Sequence, residues 1–225
     1  MNTRKHLLGL AATLAAGLVT TQAQLIISEV HPTGSSSATY ARDWFELKNN
    51  GPSILDLTGW RVDDNSASFA ASLSLRGVLS LAPGQIVVFM ESDATGAGDG
   101  TNGAAFTSAW FGSSVPSGFS LGFYGGSGIG LASGGDAVNI YDSGGTLRAG
   151  VTFGAATLGV TWDNAAGLSG AISQLSVAGL NGAFGSVAGS EIGSPGAVPE
   201  PSTFALLGLG GVAVAAWHRA KRQEG

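Results

Sequence analysis

The sequence predicts an all-β protein whose main domain is an antiparallel β-sandwich. Three observations carry this. The central apolar signal is short and alternating, its runs are bounded by Gly, Asn, Asp and Pro, and helical periodicity is hard to find there. Glycine supplies 37 of 225 residues against only 7 prolines, with no every-third-residue period, so collagen is excluded and turn-rich β structure is favoured. Charged residues are 11% and apolar residues 44% of the chain, which argues against high-charge disorder. The absence of cysteine removes disulfides, zinc–thiolate centres and thiol nucleophiles. A pI near 5.0 leaves no basic footprint, and no nucleic-acid partner is expected.

Taken in chain order, residues 1–23 have the layout of a secretory signal peptide. Arg4, Lys5 and His6 form a basic start, 7–19 is apolar with small side chains, and Thr21-Gln22-Ala23 offers a cleavage site after Ala23. The domain that follows, 24–197, has strand windows at 25–30, 44–48, 54–57, 59–62, 73–75, 77–81, 85–91, 119–123, 137–141 and 149–153. Runs of this length separated by turn clusters suit a sandwich or barrel, and alternating βα units are not expected. Ala82-Pro83-Gly84 is a type II turn signal joining 77–81 to 85–91. Ser143-Gly144-Gly145-Thr146 should pair 137–141 with 147–153. The run 85–90 is apolar on both faces, which places it centrally with a neighbour on each side.

The last segment, 198–225, begins with Pro199-Glu200-Pro201, where each proline fixes its own φ and turns its predecessor away from the helix. Residues 203–217 carry no charge, and Arg219, Lys221 and Arg222 follow as a basic stop cluster. As a helix, this run reaches about 22 Å, a marginal span of a bilayer core of roughly 30 Å, and its basic end would stay cytoplasmic. The combination resembles the PEP-CTERM sorting signal of exported bacterial proteins. That resemblance implies recognition by an exosortase, transient residence in the inner membrane, removal of the helix and delivery to the cell surface or extracellular matrix.

A second resemblance covers most of 24–197. Leu25-Ile26-Ile27-Ser28-Glu29-Val30, Asp43-Trp44-Phe45-Glu46-Leu47-Lys48-Asn49, Leu55-Asp56-Leu57-Thr58-Gly59-Trp60, Leu81-Ala82-Pro83-Gly84, Gly135-Asp136-Ala137-Val138-Asn139-Ile140-Tyr141-Asp142 and Gly193-Ser194-Pro195-Gly196 are similar, in order and spacing, to the blocks of a lamin-tail domain. The resemblance implies an immunoglobulin-like sandwich. The chain departs from the pattern in two Gly-rich stretches, 94–118 and 165–193.

Candidate functional residues are few. Trp60 after Gly59 suits core packing, whereas Trp44 and Phe45 point to opposite faces of one strand, so one of them should lie near the surface. Trp44 and Trp110 are therefore the candidate binding surface, with plain packing as the alternative. Glu29 and Glu46 interrupt apolar strands and should bond across strands or to loop amides, since an unpaired buried carboxylate is costly. His31 is the one histidine of 24–197, too little for a triad or a usual zinc site to be assigned. Asp63-Asp64-Asn65 and the acidic loop 93–99 carry oxygen ligands without EF-hand spacing, and turn chemistry accounts for them. Gly125 to Gly130 has phosphate-loop glycines without the Lys-Ser/Thr ending. No catalytic residue, metal or cofactor is expected.

The sequence thus points to an exported structural or adhesive module without catalysis of its own. Exosortase-type machinery and extracellular polysaccharide or surface proteins are its expected partners. A secreted metal-dependent hydrolase or nuclease accessory and a carbohydrate-binding module are the alternatives. Mass spectrometry of protein from surface and secreted fractions should find Gln24 as the first residue and the terminal basic cluster missing; an intact chain in those fractions would contradict both processing steps.

Overall fold

A computed structural model describes residues 24–32, 40–125 and 129–197. The expected signal peptide (1–23, with Ala23), the sorting step Pro199-Glu200-Pro201, the apolar run 203–217 and the cluster Arg219, Lys221 and Arg222 lie outside the described residues, as do positions 126–128 of the glycine loop. Among the described residues, no helix is long and apolar enough to cross a membrane.

Ten strands between 25 and 153 form in or beside the windows read from the sequence, five short ones after 160 lie outside them, and most belong to two sheets. In the first are β1 (Leu25–His31), β2 (Trp44–Asn49), β7 (Ile86–Ser92), β8 (Leu121–Gly125), β11 (Trp162–Asp163) and β13 (Gln174–Leu175), in the order β13-β11-β1-β2-β7-β8. The second contains β4 (Arg61–Asp63), β5 (Leu73–Ser74), β9 (Asp136–Tyr141), β10 (Leu147–Phe153) and β12 (Gly170–Ala171), in the order β12-β10-β9-β4-β5. Two short ladders complete the set. They pair β3 (Leu55–Asp56) with β6 (Ser80–Leu81), and β14 (Phe184–Gly185) with β15 (Ile192–Gly193). Side chains from the facing surfaces make one core, with Ile27, Val30, Phe45, Leu47 and Phe89 against Val62, Val138, Ile140, Val151 and Phe153. Trp60 joins this core as expected, after a Gly59 at φ +77°.

Both turn motifs form. Gln85 N–H donates to Ala82 C=O at 3.0 Å with Gly84 at φ +75°, and the 143–146 turn pairs Tyr141 with Leu147. The first turn connects strands of different ladders, because β6 pairs with β3 whereas β7 lies between β2 and β8. That central place of β7 matches its two apolar faces.

Two expectations are corrected. The sandwich is not wholly antiparallel, since β8 runs parallel to β7 and β12 parallel to β10. Nor is the 94–118 stretch a plain insertion. It contains α1 (Asp99–Phe111), so β7, α1 and β8 form a βαβ crossover, which a parallel neighbour requires. The helix is placed by tertiary packing, with Phe106, Trp110 and Phe111 carried against the outer face of the six-stranded sheet.

That packing overturns the reading of β2. Trp44 and Phe45 are both 0% exposed, because the sheet has a core on each side. Phe45 stacks on Phe89 at 5.9 Å in the sandwich, and Trp44 meets Phe106 and Trp110 edge-on at 5.8 Å beneath the helix. At its start, Asp93 accepts N–H groups from Thr95 and Gly98, and Asp99 makes a bidentate pair with Arg76 at 2.8 Å. Phe106→Ala should cost about 3–5 kcal/mol in urea unfolding and shift tryptophan emission to the red; an unchanged midpoint and spectrum would contradict the helix-covered core.

Candidate functional site

The first strand does not alternate throughout. Between Ile27 and Glu29 its register against β2 shifts by one residue, so Ser28 is bulged out of the ladder. Plain alternation would send Glu29 into the sandwich core with Leu25 and Ile27. The bulge instead resets the phase, so Val30 faces the core and Glu29 lies opposite Glu46 on the outer face. Two carboxylates therefore oppose each other across neighbouring strands, and both residues are buried.

Each carboxylate is held by donors, several from the end of the domain. Glu46 accepts Ser28 Oγ–H at 2.6 Å on Oε1 and the Gly196 N–H at 2.6 Å on Oε2. Glu29 Oε1 accepts the Thr161 hydroxyl and the Ser194 N–H, the latter at 2.7 Å. Ser194-Pro195-Gly196-Ala197 is itself a turn, closed by Ala197 N–H donating to Ser194 C=O at 2.8 Å. Its proline sits at the second position and Gly196, at φ +72°, at the third, which is the chemistry of a type II turn. Gly193 completes the fit. A Cβ there would lie 2.7 Å from Glu29 Oε1 and 2.8 Å from Thr161 Cγ2.

Burial is the main electrostatic influence. It pushes the Glu29 carboxyl up to about 7, against the lowering effect of the Thr161 and Ser194 hydrogen bonds. Burial likewise raises Glu46 well above the carboxylate range, with the charge of Glu29 adding to it. The pair therefore favours holding protons near neutrality. A carboxylic acid and a carboxylate side by side can bind backbone amides of the docked turn, and the adjoining cavity of about 10 Å³ between Ser28, Glu46, Lys48, Ser194 and Ala197 is the size of one water.

Farther along the same face, the final segment meets a second buried polar group. Tyr40 donates its hydroxyl proton to Glu191 Oε1 and accepts the indole N–H groups of Trp110 at 3.1 Å and Trp44 at 3.4 Å. His31 Nε2 lies 3.2 Å from Glu191 Oε1, and its ring is 5.5 Å from that of Trp44. The chain from 184 to 197 is thus a strap across the outer face, running from Phe184 against Trp110 and Phe111 to the turn over Glu29 and Glu46.

The expectation that Glu29 and Glu46 bond across strands and to loop amides is met by Ser28, Thr161, Ser194 and Gly196. The candidate surface of Trp44 and Trp110 is not. Both indoles are 0% exposed, since the helix closes over them and Tyr40 takes their N–H groups, so they offer no stacking face. In the acidic loops the chain's own donors occupy the carboxylates: Asp63 Oδ2 accepts from Ser66 and Ser68, and Asp64 Oδ1 accepts the Ser66 N–H. Hydrogen bonds from Thr95 and Gly98 hold the Asp93 carboxyl well below its usual range. Among the described residues, no three His, Asp or Glu side chains gather as a metal cluster. Thr161, Glu191 and Tyr40 were not singled out by the sequence. Their only visible signal was polarity beside apolar strands.

Two family models match the chain. The Lamin Tail Domain model matches residues 19–155, and the PEP-CTERM protein-sorting motif matches 197–222. No curated protein matches it. Thr161 and the strap up to Gly196 lie between the two matched regions, whereas Glu29 and Glu46 lie inside the first.

The buried pair sets a pH dependence. The folded chain keeps protons that an unfolded glutamate releases above 4.5, so its stabilising contribution is full below 4.5 and is lost as pH rises through about 7. Carboxylates held low, such as Asp99 and Asp142, act in the opposite sense but only below 3.8. Melting temperature should therefore fall between about pH 5 and pH 8, and Glu46→Gln should flatten that slope, because glutamine does not titrate and can accept the Gly196 N–H on its oxygen while its amide N–H donates to a reoriented Ser28 hydroxyl. A slope unchanged by the substitution would contradict the assignment.

Proposed function

The chain belongs to the lamin tail domain family, and on that premise we propose that it is an exported structural or adhesive module, delivered to the cell surface or its matrix, with no catalysis of its own. The observation that carries this is the match to a sorting motif beginning at Ala197, the residue on which the docked turn closes. Val198 alone separates that turn from Pro199-Glu200-Pro201. The sorting motif implies recognition by an exosortase, and the order of the parts implies that the machinery meets the motif directly beside a folded domain.

The finer elements of the reading have their own support. Membrane-anchored transit is supported by the uncharged run 203–217 and the basic cluster after it. The non-catalytic reading is supported by the enclosure of His31 against Trp44 and Glu191, and by the use of Glu29 and Glu46 in holding backbone amides. An acidic domain, with 13 acidic against 5 basic residues between 24 and 198, suits retention among extracellular polysaccharides or surface proteins of complementary charge.

Two variants test the sorting. Deletion of 198–225, or joint Pro199→Ala, Glu200→Ala and Pro201→Ala substitution, should move the protein out of the surface fraction when fractions are compared by immunoblot. Surface delivery equal to that of the unaltered chain would overturn the reading.

A further inference from the structure

Between Asp163 and Glu191 the chain carries no charged residue and no histidine. The rest of the domain is acidic, so this uncharged stretch stands apart. Within it, Val187 is 68% exposed beside Gly112, and three more large aliphatic side chains are over half exposed elsewhere: Leu168 at 55%, Val177 at 52% and Leu180 at 54%. These three are brought together by the fold. Leu180 N–H donates to Val177 C=O at 2.9 Å, making one turn, and Leu168 lines the same small cavity as Asn181. Asn181 is tied to Asp163 by a 2.7 Å hydrogen bond from its Nδ2.

This uncharged surface adjoins the point where the chain leaves the domain. A Cβ on Gly182 would lie 2.9 Å from Ala197 Cβ, and Asn181 and Ala197 line the same cavity. From Ala197, five residues lead to the apolar run that starts at Thr203, and the six steps reach at most about 20 Å when extended. A tether this short keeps the exit side of a domain close to the bilayer while the run is inserted. Charged groups there would have to be dehydrated against lipid, and the segment from 164 to 190 supplies none, while the adjoining Asp163 is itself buried and bonded to Asn181.

We propose that the loops around Leu168, Val177 and Leu180 form a lipid-contacting face, which seats the domain on the membrane surface during its anchored stage. Aliphatic side chains enter the headgroup boundary, as on proteins that lie on a bilayer without crossing it. The contact is apolar. Lys48 and Arg148 border the face, Lys48 beside Ala165, Gly167 and Ser169 and Arg148 beside Ser169 and Gly170, and their long side chains can keep the charged ends in water. The inference rests on the membrane-anchored reading of 203–217.

The chain lacks cysteine, so single-cysteine variants of the full chain can be labelled cleanly with a polarity-sensitive fluorophore. Leu168→Cys, Val177→Cys and Leu180→Cys would be compared with Ala94→Cys, which follows β7 at the end opposite Ile86 and is exposed. In phosphatidylcholine vesicles, the first three labels should shift to the blue and be quenched by spin-labelled lipid, while the label at 94 should remain in water. Vesicle-bound protein whose labels at 168, 177 and 180 behave like that at 94 would overturn the face and leave the anchor standing. Protein that does not associate with vesicles would overturn both.

Discussion

Two carboxylates facing each other across adjacent strands are the constraint on which the outer face of this sandwich depends. Burying Glu29 beside Glu46 is unfavourable, and removal of either set of partners would leave charge or polarity unsatisfied in a dry setting. The compensation is specific. Ser28 and Thr161 supply hydroxyl donors, the final turn supplies the amides of Ser194 and Gly196, and burial keeps protons on the pair. The first strand of the domain is thereby tied to its last turn, and the strap completes the cover that α1 gives the outer face of the six-stranded sheet.

The cover explains how a chain without disulfides forms a second core. One side of the six-stranded sheet packs into the sandwich, and the other is covered by α1 and the strap, where Trp44, Phe106 and Trp110 interlock edge to face. Aromatic contacts of this geometry add about 0.5–1.5 kcal/mol each beyond the area they bury. The buried Tyr40 hydroxyl, bonded to two indoles and Glu191, fixes the strap at a second point. Packing and polar ties together serve where many small exported domains use covalent crosslinks.

Much of the sandwich was legible because strand alternation is a local signal. The run at 85–90, apolar from Ile86 to Met90, even disclosed its position, since a strand flanked on both edges and covered on both faces tolerates it. The helix was not legible. Its segment reads Asp-Gly-Thr-Asn-Gly at the start, glycine is a poor helix former, and its few aromatics gain stability largely against residues distant in sequence, such as Tyr40, Trp44 and Phe184. That unseen helix also made the Trp44 forecast fail, because alternation assumes that a strand has one wet face. At the site, Glu29, Glu46 and the Ser-Pro-Gly step were all visible, but their meeting was not. The bulge at Ser28 that turns Glu29 outward leaves no mark in the composition of its strand, and the amide donors of the final turn lie 165 residues from Glu29 and 150 from Glu46.

The central claim is that the turn before the sorting motif is clamped by the two buried glutamates. Residue-resolved amide hydrogen exchange of the intact chain tests it most directly. Ser194 and Gly196 should exchange as slowly as the paired amides of β1 and β2, and Glu46→Ala should speed Gly196 far more than Phe45. Exchange of both amides at the rate of an unstructured peptide in the unaltered protein would contradict the claim.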